Sequence, residues 1–287
     1  MSFMKIGFIG LGTLGREIVK RLVSQGVELI VWNRSKERAK QLGLELVETP
    51  KDLMSMVDKV FVIVSDSEAS KKVVFGKDGL VKGDIQGKTI IDLTTNHYRY
   101  VVEAEKELKQ KGAYYLEAPL LGSVVPAQRG ELTVLVGGDK NKFEEIKGIF
   151  EKFCRNIIYL GEIGKATKLK LINNMVLGGY MAVLAEAIAI GEKAGLEKDL
   201  LLEVLSNGAG RSYVLEVKKQ KLLEENFEPH FSVDLIYKDL DYAQDLLKDL
   251  KAFSMSLQNV KEAYGLARSK DLGHLDFSAV YKIFKTD

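Results

Sequence analysis

The first half of the chain alternates short apolar runs with amphipathic stretches. Runs at 5–9, 28–32, 59–64, 89–93, 114–117, 132–136 and 156–159 have the length and character of strands, and 14–25 and 100–111 carry helical apolar spacing between them. Strands separated by helices predict an α/β domain built on a doubly wound, mostly parallel sheet. From Gly164 onward the pattern changes, and 165–193 reads as one uninterrupted helix. It would be about 45 Å long at 1.5 Å per residue. Stretches 198–207, 212–224, 232–250 and 255–268 follow as helices, with turns at Gly208-Ala209-Gly210 and Glu228-Pro229 and no strand pattern. The expected organisation is an α/β domain over 1–163 and an all-α domain over 164–287, joined through the long helix with no polar linker, internal repeat or low-complexity tract.

The turn after the first apolar run reads Gly10-Leu11-Gly12-Thr13-Leu14-Gly15 and opens a helix. In that context the first glycine makes the tight turn and the second lets a pyrophosphate reach the backbone at the helix N-terminus. The third lets the helix pack closely. A dinucleotide cofactor is the expectation. After the second strand, sites for NAD place an acidic side chain against the ribose 2′-hydroxyl. Here the residue is Asn33, followed by Arg34 and Ser35, a guanidinium and a hydroxyl suited to a 2′-phosphate. NADP is therefore expected ahead of NAD. A plainer reading is that Asn33 or Ser35 caps the helix running through 36–41, and the two roles are compatible.

Composition narrows the partners. The 42 basic and 40 acidic residues are interspersed and leave a formal charge of +2, so no basic field is present to hold nucleic acid or a membrane. Cys154 is the single cysteine, and His97, His230 and His274 are scattered, which excludes a disulfide framework and gives no metal-ligand spacing. A cytoplasmic protein is expected. Residues 1–15 lack the long hydrophobic centre of a leader. The apolar stretch 175–185 is shorter than the roughly 20 residues that cross a bilayer and reads as a buried helix. Met175, Tyr180 and Met181 are expected in its core. Gly178-Gly179, at about 1 kcal/mol per glycine against alanine, is expected to mark close approach by a neighbouring helix or chain. Self-association as a homodimer or homotetramer through the C-terminal domain follows as an expectation.

Lys170 and Asn174 lie four residues apart on the long helix and so share a face. A cation and an amide pointing the same way suit the binding and protonation of an oxygen. The plainer reading is a solvated lysine, as Lys165 and Lys168 are expected to be. Lys168 is two residues from Lys170 and points elsewhere.

Four ordered motifs carry a resemblance. They are Gly7-Phe8-Ile9-Gly10-Leu11-Gly12 with Gly15; Glu117-Ala118-Pro119 leading to Gly122-Ser123 and Pro126-Ala127-Gln128-Arg129-Gly130-Glu131-Leu132; the segment 161–174; and Lys238-Asp239-Leu240. With them the chain resembles, over essentially its whole length, the β-hydroxyacid dehydrogenase family, relatives of 3-hydroxyisobutyrate dehydrogenase and of the glyoxylate and succinic semialdehyde reductases. The resemblance implies an N-terminal Rossmann domain, an all-helical C-terminal domain and a cleft between them where substrate meets nicotinamide. It implies Lys170 as the catalytic acid or base and Asn174 as its substrate-binding partner. The loop Leu121-Gly122-Ser123 is implied to hold the carboxylate of a small-molecule substrate through backbone N–H groups. Thr95 and Lys238 are implied beside the cofactor, Val64-Ser65-Asp66 along its adenosine side, and Phe231 and Asp239 at the border of the cleft. Relatives often carry serine where this chain has Leu121, which bears on the substrate more than on the reaction type.

The activity implied is NADPH-dependent reduction of small aldehyde or keto acids, with Lys170 as proton donor. Gly122-Ser123, Pro126-Ala127 and Asn33-Arg34-Ser35 together resemble the NADPH-using glyoxylate and semialdehyde reductases more than the NAD-using 3-hydroxyisobutyrate enzymes. An NAD(P)-dependent 3-hydroxyisobutyrate or 3-hydroxypropionate dehydrogenase is the alternative. Imine reductases share the architecture but usually lack lysine at this position, and 6-phosphogluconate enzymes have a longer helical half. A non-catalytic nucleotide-binding module of this fold tends to have lost the lysine. Plainer readings stand beside several residues: Thr94 and Thr95 ending a strand, Asn96 starting the next helix, His97 in a loop without chemistry, and Lys238-Asp239 as a solvent-facing pair.

Overall fold

A computed structural model describes residues 5–285. The ends of the expected domain ranges, 1–4 and 286–287, lie outside the described residues. The chain divides into two compact units, Met1–Lys170 and Leu171–Asp287.

The first unit runs β1 (Ile6–Ile9), α1 (Thr13–Ser24), β2 (Leu29–Trp32), α2 (Lys36–Lys40), β3 (Glu45–Leu46), α3 (Pro50–Met56), β4 (Lys59–Val62), α4 (Ser67–Phe75), β5 (Thr89–Asp92) and α5 (Tyr98–Gln110). It continues with β6 (Tyr114–Glu117), β7 (Leu120–Leu121), α6 (Val124–Arg129), β8 (Leu132–Gly138), α7 (Lys140–Phe150) and β9 (Cys154–Gly161), then enters α8 (Lys165–Lys193). The described strands form one sheet in the order β3-β2-β1-β4-β5-β6-β8-β7, with β9 paired to β8. Pairing is parallel from β3 through β6, and β8 runs antiparallel to β6 and β7. β1, β4 and β5 are buried along their full length, as strands covered by helices on both faces must be. Phe8, Phe61, Phe150 and Phe153 fill one face, with Phe61 set edge-on to both Phe150 and Phe153.

The seven strands expected from apolar runs are present. β3 and β7 have two residues each, too few to leave a periodic signature. α3 does carry a local signal, because Thr49 and Asp52 form a reciprocal capping box with Pro50 at the first turn.

The second unit is helical: α9 (Lys198–Asn207), α10 (Tyr213–Glu224), α11 (Val233–Leu250), α12 (Met255–Ser269) and α13 (Tyr281–Phe284). Ser212, Ser232 and Ser254 cap α10, α11 and α12, each accepting from the N–H three residues on. Lys218 is buried on α10 against Asp276, 2.8 Å away. At Gly178 on α8 an added Cβ would meet Val260, Ile236 and Tyr264 at 3.4 to 3.5 Å. The neighbour expected at that glycine pair is thus α11 and α12.

α8 departs from the buried helix expected. Met181 is fully enclosed, but Tyr180 is 55% exposed, and Leu169, Ile172, Val176, Val183 and Ile190 are exposed with it along one stripe. Only half of its most apolar 18-residue window is buried. By length and composition α8 could cross a membrane, contrary to the reading of 175–185 as too short, although core helices of soluble proteins pass the same test.

A methyl group at Gly178 fits at ordinary contact distance and removes a helix-weakening glycine, whereas a longer side chain overpacks the α11 and α12 contact. Gly178→Ala is expected to hold or raise stability by up to about 1 kcal/mol. Gly178→Leu should lower it by about 1 to 3 kcal/mol. Chemical denaturation midpoints check both, and equal midpoints for the two variants would contradict this packing.

Candidate functional site

In open α/β sheets ligands bind beyond the carboxyl ends of the strands. The candidate cofactor residues of the first unit gather there. Gly10 follows β1 with φ +100°, and a Cβ on it would come 1.8 Å from the Ile63 carbonyl oxygen. A Cβ on Gly15 would come 2.0 Å from the Gly10 carbonyl oxygen. Both glycines are required by the protein's own packing. Gly12 differs, because a Cβ there would meet nothing within 4 Å, and it stands at the start of α1 with no side chain capping the helix. Open space before uncapped N–H groups is what a pyrophosphate needs, so Gly10, Leu11, Gly12, Thr13, Leu14 and Gly15 fit a dinucleotide.

Asn33 holds this loop. Its Oδ1 accepts from the Leu11 N–H at 2.8 Å, and its Nδ2 donates to the Ser35 carbonyl at 2.7 Å. Neither Asn33 nor Ser35 caps α2 through its side chain, so the plainer capping reading is set aside; the Ser35 hydroxyl donates instead to Glu37 at 3.2 Å. Arg34 and Ser35 are exposed at the end of β2. Beyond β4, the Val64 N–H donates to the Thr94 hydroxyl at 3.1 Å, the Ser65 hydroxyl donates to Asp66, and Asp66 caps α4. Thr95 is half-buried beside Thr94.

Asp92, at the end of β5, is a residue that sequence reading did not single out. It is buried and accepts from Ser70 Oγ, the Thr94 N–H, Asn96 Nδ2 and the Tyr115 hydroxyl. Burial pushes its carboxyl up against those donors. Asn96 is therefore tied back to the strand, and His97 caps α5 by accepting from the Arg99 N–H at 3.2 Å. A carboxylate directly after the apolar pair Ile90-Ile91 was the available signal.

The substrate-loop residues leave β7. Leu121 is half-buried in register with Thr133, Gly122 adopts φ +110° where L side chains are strained, and Ser123 precedes α6. α6 is tied to α1 by Gln128, whose Nε2 donates to Glu17 at 3.1 Å. Glu17 is buried; although burial raises its carboxyl, bonds from Lys20 and Gln128 bring it below the usual range. The loop proposed for carboxylate and the loop proposed for pyrophosphate thus rest on packed helices.

On α8, Lys170 is 8% exposed and Asn174 is fully buried. Lys168 is exposed, with its ammonium 5.9 Å from the Tyr98 ring. In the second unit Asn174 Nδ2 donates to Asp239 Oδ2 at 2.6 Å, and Lys238 lies 3.1 Å from the other oxygen of that carboxylate. Asp239 is buried, so this is not a solvent-facing pair. Phe231, half-buried, stands edge-on to Phe277 at 5.8 Å.

Two family models match the chain. The NAD binding domain of 6-phosphogluconate dehydrogenase covers residues 5–161, and the NAD-binding domain of NADP-dependent 3-hydroxyisobutyrate dehydrogenase covers 164–284. The human cytokine-like nuclear factor N-PAC is 35% identical over 283 residues, 98% of this chain and 51% of that protein. The chain therefore spans about half the length of the curated relatives it matches first. The chloroplastic glyoxylate/succinic semialdehyde reductase 2 of Arabidopsis thaliana is 31% identical over 288 residues, 99% of this chain and 80% of that one. The solved structure of Psf3 in complex with NADP+ and 2-OPP superposes with a TM-score of 0.91 at 27% identity, covering 97% of this chain and 99% of the other. The glycine loop, the doubly wound sheet, the helical second half and these matches agree: the chain belongs to the β-hydroxyacid dehydrogenase family.

Proposed function

We propose that the protein is an NADPH-dependent reductase of small aldehyde or keto acids that runs reversibly as a hydroxyacid dehydrogenase. The observation that carries this reading is Lys170, a buried lysine one helical turn before an asparagine whose amide is fixed by a buried carboxylate. A bound dinucleotide would supply the hydride. The oxygen of the reduced carbonyl still needs a proton, and Lys170 donates it from Nζ while its charge offsets the negative charge developing on that oxygen. Asn174, its Nδ2 committed to Asp239 and its Oδ1 already accepting from Asn173 Nδ2 at 3.1 Å, offers the second lone pair of Oδ1 to orient the partner group. The backbone of Leu121, Gly122 and Ser123 holds the substrate carboxylate.

Similarity to the Arabidopsis reductase supports glyoxylate and succinic semialdehyde as substrates. The description of the C-terminal family model supports 3-hydroxyisobutyrate as the alternative. Leu121 removes a hydroxyl from the pocket wall and favours a substrate with an apolar surface at that point. Arg34 and Ser35, with no acid at position 33, support NADPH over NADH, and the NADP+ complex of Psf3 is in keeping with that choice. Similarity to the N-PAC nuclear factors favours a second reading, in which the fold binds nucleotide without turnover. NADPH binding without oxidation across a panel of aldehyde acids would decide for it.

Lys170→Ala should lower kcat by about 100- to 10,000-fold with glyoxylate or succinic semialdehyde, and leave NADPH binding in place. Near-normal turnover would remove Lys170 from the mechanism. Arg34→Ala is expected to weaken NADPH binding by roughly tenfold and NADH binding much less, as fluorescence titration can measure. A wild-type preference for NADH would contradict this assignment. The exposed apolar stripe of α8 supports self-association through the helical half, so sedimentation at micromolar concentration should report a dimer or tetramer, and a monomeric mass would refute it.

A further inference from the structure

Helix α8 is capped from far away in the sequence. Glu117, at the end of β6, is buried, and its carboxylate accepts four hydrogen bonds from the start of α8. Oε1 takes the N–H groups of Gly164 and Ala166 at 2.5 and 3.1 Å, and Oε2 takes the N–H and hydroxyl of Thr167 at 3.0 and 2.5 Å. Helix N-termini are ordinarily capped by a neighbouring serine, threonine or aspartate that meets one N–H. Here the acceptor stands 47 to 50 residues upstream and meets three. The sheet is shaped for it: Gly137 pairs with Glu117 across the β6–β8 ladder, and a Cβ there would come 2.4 Å from Oε1. Burial pushes the carboxyl up, and the four donors act against that rise.

We propose that Glu117 is the positioning residue for Lys170, fixing the first turn of α8 to the end of β6 and so setting the height and rotation of the ammonium. Lys170 follows Thr167 by three residues, a rise of about 4.5 Å. The chain that leaves Glu117 runs through Ala118 and Pro119 into Leu121, Gly122 and Ser123, so one carboxylate locates both the proton donor and the loop assigned to the substrate. It also sets a negative charge on the first turn of α8, bonded to Thr167 three residues before the lysine, and an opposite charge nearby favours the protonated amine. Glutamine at this position keeps the volume but turns an N–H of its own toward donors. The inference rests on the reading of Lys170 as proton donor.

The test compares wild type with Glu117→Gln and Thr167→Val in the full chain, by the pH profile of kcat with succinic semialdehyde, NADPH affinity, and the pH dependence of Lys170 acylation by an amine-reactive reagent, followed by peptide mass spectrometry. Glu117→Gln is expected to keep NADPH affinity within about twofold and lower kcat by about 100-fold, the cost of a misplaced acid. The alkaline limb of kcat and the half-labelling pH of Lys170 should both move down by about one pH unit. Unchanged kcat, or a fall with neither limb nor labelling curve displaced, overturns the proposal. Should Glu117→Gln fail to fold, Thr167→Val decides: a five- to tenfold fall in kcat at about unchanged NADPH affinity supports it, and wild-type kcat overturns it. If the wild type reduces no aldehyde acid, the functional reading fails by itself and the Lys170 labelling curve still tests the position of the lysine; a curve unmoved by the variants overturns the proposal.

Discussion

A parallel strand that reaches the edge of its sheet leaves the ladder, and the backbone N–H groups of the turn beyond it lose their partners. In this protein that constraint is met by a small set of side chains at the carboxyl edge of the first unit. Asn33 takes the Leu11 N–H, Thr94 takes that of Val64, Asp92 takes that of Thr94, and Glu117 takes those of Gly164, Ala166 and Thr167. Each of these turns is one the family reading assigns to cofactor, substrate or proton donor. The geometry of the candidate site is therefore set one layer beneath the groups that would touch ligands.

Two of these acceptors are carboxylates on neighbouring strands, because Asp92 and Glu117 are partners in the β5–β6 register. A hydrogen bond to a charged group contributes about 1.5 to 3 kcal/mol, and an orphaned buried donor costs a comparable amount. Both carboxyls are raised by burial, with their hydrogen bonds acting in the opposite sense. A folded carboxyl raised above its unfolded value takes up a proton more readily than the unfolded chain. The pair therefore counts against the folded state as pH rises through the carboxylate range, and acid lessens that cost. The price is accepted where a neutral acceptor could not meet so many donors.

Part of the backbone geometry of the candidate site was legible from residue order. The glycine spacing predicted the turn of Gly10 and the open approach at Gly12, and the i, i+4 spacing placed Lys170 and Asn174 on one face of α8. Other features left no local trace. Glu117 reads in sequence only as part of a motif, since its partners are 47 to 50 residues away. Asp239 gives no local sign that its carboxylate fixes Asn174, 65 residues upstream, while pairing with Lys238. Tyr180 was expected in a core and is exposed, because an uninterrupted apolar helix does not say which of its faces is covered.

The sequence by itself determined the strand and helix order, the change of character at Gly164 and the residue types available for hydride and proton chemistry. These depend on local spacing and on the conformational freedom of single residues. Tertiary structure alone decided which lysine in the first turns of α8 is buried, which acid caps α8, and which glycines are held by packing and which by open space. Those facts depend on how segments far apart in the chain satisfy one another's hydrogen bonds and fill one another's volume, and no window of sequence contains both partners.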